Sequence, residues 1–389
     1  MYTLNLTPVP YTDPWASTYQ EQIRQLAGTG QPLRVAYYYD ETNNSSFRYR
    51  VYNMIQAIRS LDLPIAAGYF VFQDLKHIDT ILSLANALVI CRSQYSPSLA
   101  HAIALAHQRG IRVFFDVDDL VFDTRFAHLI MDTLAQPYDE ERLDYWFALL
   151  ARHGETARLC DAGITTNPYL ATRLQAFLNK PVHVIPNFAN REQLAISEQI
   201  FQQKLANNFQ RGPNLHIGYF SGTPSHTKDF AIITETLAHL LRQFPFVRVR
   251  LAGYIDLPPV LQPYQQRVEY IPFTDFINLQ RYVGETEINV VPLQDNEFTN
   301  GKSQLKYFEA ALAGTLTVAT PTATYGQSIQ HGVNGYLAYA FQWADVLTEL
   351  ITNFAATPAV IQQARQRALA EFTWHAQADA LRQVFLPSA

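Results

Sequence analysis

The run Asn300-Gly301-Lys302-Ser303-Gln304-Leu305-Lys306-Tyr307-Phe308-Glu309-Ala310-Ala311-Leu312-Ala313-Gly314-Thr315-Leu316-Thr317-Val318-Ala319-Thr320 decides how the chain is built. It reads as a polar loop, a helix, a glycine stop and a buried strand. Leu305, Phe308 and Leu312 recur at i, i+3 and i+7, which makes one apolar stripe on a helix. Lys302, Lys306 and Glu309 recur at i, i+4 and i+7 and share another face. The strand that follows is continuously apolar or β-branched rather than alternating, the pattern of a strand covered on both faces.

The same rhythm extends in both directions. Short β-rich runs occur at 33–39, 87–91, 111–115, 162–166 and 182–185, and again at 215–220, 247–252, 268–271, 288–292 and 315–320. Helical stretches separate them, so the reading is α/β, with parallel sheets built from βαβ units. The segment 190–213 breaks the rhythm, being rich in Gln, Asn and Glu and poor in strong apolar positions. This divides the chain into an N-terminal extension (1–30), a first doubly wound domain (31–190), a linker (191–213), a second doubly wound domain (214–370) and a C-terminal helix (371–389). A length of 389 residues with 48% apolar content is also more than one ordinary domain needs.

Composition removes several function classes. A net charge of −5 with no basic block argues against a nucleic-acid partner. Cys91 and Cys160 are too few for a disulfide framework or a zinc site, and they read as buried thiols in a reducing, cytoplasmic setting. No run of about 18 apolar residues is present, and residues 1–14 lack the basic start and apolar stretch of a secretory signal. Peripheral contact with the inner face of a membrane stays open.

Open α/β sheets bind ligands at the carboxyl ends of their strands, so loops that follow strands carry the candidate chemistry. Asn300, Gly301, Lys302 and Ser303 precede a helix whose free N–H groups, with Lys302, suit a phosphate. Glu309 lies roughly 10 Å further along at 1.5 Å per residue, the reach from a pyrophosphate to a ribose. The competing reading is a solvated Lys–Glu face. A second loop, Ser221-Gly222-Thr223-Pro224-Ser225-His226-Thr227-Lys228, follows a buried strand, and its backbone N–H groups with Lys228 suit an anion. The alternative is an ordinary turn capped by Ser225 or Thr227. A third stretch, Phe115-Asp116-Val117-Asp118-Asp119, sets three carboxylates at a strand end, where like charges repel unless they bind a cation, pair with a base or share a proton. Asp116 and Asp118 are candidates for catalysis or for a metal, and Asp119 for the acceptor side or a helix cap. A fourth stretch, Asn43-Asn44-Ser45-Ser46-Phe47-Arg48-Tyr49-Arg50, offers Arg48 and Arg50, which lie two apart, so that one of them faces the cleft.

Taken in order, these residues resemble the group 1 glycosyltransferases (glycosyltransferase family 4). Residues 301–335 resemble the family's donor-binding block: a Lys, then Glu309-Ala310-x-x-Ala313-Gly314, a strand, and Gly332-Val333-Asn334-Gly335-Tyr336-Leu337. Ile185-Pro186-Asn187-Phe188 resembles the Pro-Asn signature before the linker, and Asp161-Ala162-Gly163-Ile164-Thr165-Thr166-Asn167 the last strand of the first domain. Residues 221–228 occupy the place of the phosphate-binding loop. Bacterial polysaccharide and rhamnose-type transferases are the subgroup most similar at 115–119 and 301–303.

The resemblance implies a GT-B architecture, two Rossmann-like domains facing a central cleft. It implies a hexosyltransferase-type enzyme that moves a sugar from a nucleotide diphosphate sugar to a glycan or glycolipid acceptor in polysaccharide biosynthesis, with retention at the anomeric carbon. By resemblance, Glu309 binds the donor ribose, Lys228 and the Gly222–Thr223 backbone hold the pyrophosphate, and no metal or cofactor is required. The chain departs from the family at three places. Gly301 stands where an acidic residue contacts the donor sugar, Thr223 stands near a missing Arg, and Asp116–Asp119 replace a His. Two other functions remain open at this stage: a GT-A-like transferase holding a metal on Asp116 and Asp118, and a noncatalytic nucleotide-sugar-binding partner.

Overall fold

A computed structural model describes residues 1–28, 30–42, 44–222 and 227–386. It contains two six-stranded sheets. The first is built from β1 (Leu33–Tyr38), β2 (Ile65–Phe70), β3 (Ala87–Cys91), β4 (Arg112–Val117), β5 (Ala162–Thr165) and β6 (Val182–Val184), in the order β2-β1-β3-β4-β5-β6. The second is built from β7 (Leu215–Ser221), β8 (Val247–Gly253), β9 (Val268–Ile271), β10 (Ile288–Val291), β11 (Leu316–Ala319) and β12 (Tyr336–Leu337), in the order β12-β11-β10-β7-β8-β9. All strand pairs are parallel. The second order is that of the Rossmann dinucleotide fold.

The continuous apolar runs have the expected cause. Along β3, Leu88 and Ile90 enter one core cluster, whereas Ala87, Val89 and Cys91 enter another on the opposite face. Each fully buried aliphatic side chain contributes about 1.5–3 kcal/mol, so both faces stabilise the sheet. Two strands were not among the ten expected runs. β2 reads Ile-Ala-Ala-Gly-Tyr-Phe, and its small centre is a packing requirement. A Cβ on Gly68 would lie 2.7 Å from the Gln22 carbonyl oxygen, because the helix Tyr19–Ala27 crosses there. β12 is two residues long and draws its order from pairing with β11.

The segment expected as a linker contains the helix Arg191–Ala206. Its polar side chains are inside: Gln193, Ser197 and Lys204 are at most 1% exposed. The Lys204 ammonium donates to the Gly314 carbonyl at 2.7 Å and to the Thr315 hydroxyl at 3.2 Å. Burial holds its pKa well below the usual lysine range. The chain ends cross over. Tyr2 is buried in the core of the second sheet, while Leu381, Val384 and Phe385 of the helix Ala378–Phe385 are buried against the first. Cys91 and Cys160 are buried free thiols. Among the described residues no helix is long and apolar enough to cross a membrane.

Candidate active site

In each sheet the strand order reverses at one place, between β1 and β3 in the first and between β7 and β10 in the second. Crevices at the carboxyl ends of such strand pairs are the ligand sites of open α/β sheets. The candidate residues gather at these two places.

In the second half, β7 ends at Ser221 and Gly222, and a Cβ on Gly222 would meet nothing within 4 Å. Thr223, with Pro224, Ser225 and His226, lies outside the described residues, as does Asn43. The helix Thr227–Gln243 follows. Lys228 is half-exposed and pairs at 2.7 Å with Asp132 of the first half. Asp229 accepts from the Gln294 backbone N–H at 3.1 Å, tying the start of this helix to the loop after β10.

That loop carries the short helix Glu297–Asn300, capped by Asn296. The expected free N–H groups at 301–302 are not free. Gly301 N–H donates to the Phe298 carbonyl and Lys302 N–H to the Thr299 carbonyl, at 3.2 and 3.1 Å, because this extra turn precedes the helix Leu305–Leu312. The Asn300 side-chain oxygen accepts from Ala323 N–H at 2.6 Å. The Gly301 carbonyl accepts from the Asn167 amide of the first half at 2.9 Å. A Cβ on Gly301 would sit 3.6 Å from Leu170 and 3.7 Å from Leu120. Side chains of the first half therefore fill the space beside this glycine, and Ser303 follows it, partly buried.

Lys302 and Lys306 each lie over an aromatic ring, Phe298 at 4.7 Å and Tyr219 at 4.8 Å. Neither is ion-paired among the described residues. The Lys306 pKa is pulled down to about 8, chiefly by burial and also by Lys302, with Asp229 and Glu309 working to raise it. One turn on, Glu309 is held from the first half and the connecting helix. Its Oε1 accepts from the Tyr49 hydroxyl and from the Gln193 amide at 2.8 Å, and Arg48 approaches the same oxygen at 3.7 Å. Glu309 Oε2 has no protein partner among the described residues, and the side chain is 13% exposed. One carboxylate oxygen is thus pinned, and the other is left without a partner among the described residues.

In the first half, the π-helical turn Arg48–Tyr52 sends its two arginines apart, as their spacing requires. Arg48 stacks on Tyr49 and Phe276 beside Glu309. Arg50 is 1% exposed and forms a bidentate pair with Asp116 at 2.7 and 2.9 Å. Arg50 also donates to the Ile185 carbonyl and the Asn187 side chain. Burial works to lower the Arg50 pKa, and Asp116 outweighs it, so the guanidinium stays charged. Both Asp116 oxygens are occupied by this pair. Asp118 and Asp119 face outward onto one guanidinium, Arg92, at 2.9 and 3.1 Å, and Ser46 donates to Asp118 at 2.5 Å. The expected cap at Asp119 belongs instead to Asp123, which accepts from Arg125 N–H at the start of the turn Thr124–Phe126.

Three site residues carried no sequence signal that singled them out. Arg92 follows β3 directly and was within reach of the strand-end rule; its φ of +40° is a left-handed backbone that a non-glycine residue rarely adopts. Tyr49 and Gln193 reach Glu309 only through the tertiary fold. No three His, Cys, Asp or Glu side chains converge as a metal site among the described residues.

The comparisons with known proteins agree with this layout. The model of the "Glycosyl transferases group 1" family matches residues 215–353. No curated protein matches the chain by sequence. Among solved structures, sucrose-phosphate synthase from Thermosynechococcus elongatus aligns with a TM-score of 0.59 at 16% identity, over 90% of this chain and 97% of that one. Anabaena HepE in complex with UDP aligns with a TM-score of 0.56 at 14% identity, over 90% and 98%. A glycosyltransferase from Rickettsia africae aligns with a TM-score of 0.58 at 12% identity, over 90% and 96%. The two-sheet fold is thus the GT-B architecture, and the segment 215–353, within its second half, is similar to the group 1 glycosyltransferases.

Proposed function

We propose that the chain transfers a sugar from a nucleoside diphosphate sugar, UDP-linked, to a glycan or glycolipid acceptor, without a metal and with retention at the anomeric carbon. The observation that carries this reading is the Glu309 carboxylate. Tyr49 and Gln193 fix Oε1, which leaves Oε2 without a partner among the described residues, and this oxygen accepts from a ribose diol. Lys306 shares the helix of Glu309, Lys302 lies just before it, and Lys228 begins the helix that follows β7. Cleavage of the sugar–phosphate bond leaves its electron pair on the diphosphate, and fixed cations stabilise the charge that develops there. UDP and UDP-glucose occupy the HepE structures, which supports the choice of base.

The acceptor side is the first half. Asp118 and Asp119, oriented by Arg92, accept hydrogen bonds from the attacking hydroxyl. Asp116 is a positioning residue, because Arg50 occupies both of its oxygens. The GT-A-like alternative has no support here, since Asp116 and Asp118 are each committed to a different guanidinium. A role in polysaccharide biosynthesis and a cytoplasmic location are part of the proposal.

The test is donor binding to Glu309→Gln, measured by calorimetry with UDP and UDP-glucose. Gln keeps an oxygen for Tyr49 but loses the charge. A charge-assisted bond contributes about 1.5–3 kcal/mol, so Kd is expected to rise roughly 10- to 100-fold. Parent-like affinity in a folded variant would place the donor elsewhere.

A further inference from the structure

The helix Glu140–Leu159 begins on an exposed shoulder of the first half. Tyr145 and Phe147 in its first two turns are 53% and 39% exposed, and Tyr138 just before it is 64% exposed. These rings are organised. Tyr138 stacks on His128 with centroids 5.5 Å apart, and Phe147 meets the same imidazole edge-on at 5.8 Å. Tyr145 meets Trp146 edge-on at 5.6 Å. A grouped aromatic surface of this kind marks a place where something docks.

Its surroundings select the occupant. Asp132, Asp139, Glu140, Glu141 and Asp144 lie along the same segment, with Arg142 as the one basic side chain among them. Anionic lipid surfaces attract basic segments, and this acidic border repels them. A neutral sugar chain suits it. Pyranose rings lay their flat C–H face on aromatic rings, and their hydroxyls donate to carboxylates, the same division of apolar body and polar rim that aromatic side chains serve at wet interfaces.

Position points the same way. The helix Ala127–Thr133, which carries His128, is tied to the second half at its C-terminal end. Lys228 pairs with Asp132 at 2.7 Å. Gln294 and Asn296 both donate to Thr133 at 3.0 Å.

We propose that Tyr138, His128 and Phe147 form a platform for a neutral glycan, the part of the acceptor beyond its reacting sugar. This rests on the transferase reading. The test is affinity electrophoresis of the full chain in gels containing amylose, dextran, hydroxyethyl cellulose or galactomannan. At least one polymer is expected to retard the parent. Tyr138→Ala/Phe147→Ala is expected to weaken that retardation by about fivefold or more on the Kd scale. Tyr339→Ala/Phe341→Ala, which truncates another exposed stacked pair, is expected to leave it unchanged. Thermal stabilisation by UDP, read on the same samples, separates the two claims. Lost retardation with an intact UDP shift isolates the platform, whereas an absent UDP shift in the parent counts against the transferase reading alone. Three results would overturn the platform: no retardation of the parent by any of these polymers, equal retardation of the double variant, or pelleting with phosphatidylglycerol–phosphatidylcholine vesicles that the double variant abolishes.

Discussion

Replacing Asp116 by Asn tests whether this carboxylate acts on substrate or on the fold. The side chain is 1% exposed, and so is its partner Arg50. Two charge-assisted bonds, at 2.7 and 2.9 Å, join them. Asn keeps one acceptor but removes the charge, leaving a buried guanidinium uncompensated. Breaking one partner of such a pair costs about 3–5 kcal/mol. Arg50 keeps its bonds to the Ile185 carbonyl and to Asn187, so the lower end, about 3 kcal/mol, is the expected loss. At roughly 2–4 °C per kcal/mol for a domain of this size, the melting temperature should fall by roughly 6–12 °C. The assay is differential scanning calorimetry at neutral pH, with UDP affinity measured well below the melt, where it should stay near the parent value. The apolar pair Arg50→Met/Asp116→Leu should recover most of the loss, because removing both charges removes the desolvation cost. The reasoning fails if Asp116→Asn melts with the parent, or if the apolar pair is less stable than the single variant.

Further outcomes follow from the same geometry. Lys306 carries its charge below pH about 8 and loses it above, so UDP affinity should fall as pH rises through that value, and Lys306→Arg should flatten the profile; a parent profile that is flat from neutral pH upward counts against Lys306 at the diphosphate. Asp118→Asn and Asp119→Asn should lower turnover, by roughly 10- to 100-fold, with little change in donor affinity, since they act on the attacking group; parent-like turnover in both would move the acceptor elsewhere. Transfer should survive a strong chelator, and complete loss restored by manganese or magnesium would overturn the metal-free reading.

What the sequence made legible was whatever depends on neighbours along the chain. The runs of the two sheets, the donor-block helix and the place of Glu309 on it all follow from spacing. β2 was hidden because its centre had to be small where a helix crosses Gly68, which removes the β-branched signal. The helix Arg191–Ala206 was hidden because Gln193, Ser197 and Lys204 make their bonds inside the protein, so that its polarity imitates a surface linker. The Asp116–Asp119 cluster was visible as unresolved charge. Its division into a buried member and two partly buried ones depends on Arg50 and Arg92, dozens of residues away, and only the fold supplies them.

The crossing of the chain ends has a practical consequence for anyone dissecting the molecule. A break near residue 213 separates the two sheets on paper, but neither fragment keeps its own interior. The upstream piece loses Leu381, Val384 and Phe385, and the downstream piece loses Tyr2. Each would expose an apolar scar where the missing segment belongs. Fragments expressed apart should therefore be poorly soluble, and co-expression should rescue both. Moving the sequence 374–386 onto the upstream piece by a short tether should rescue that piece alone.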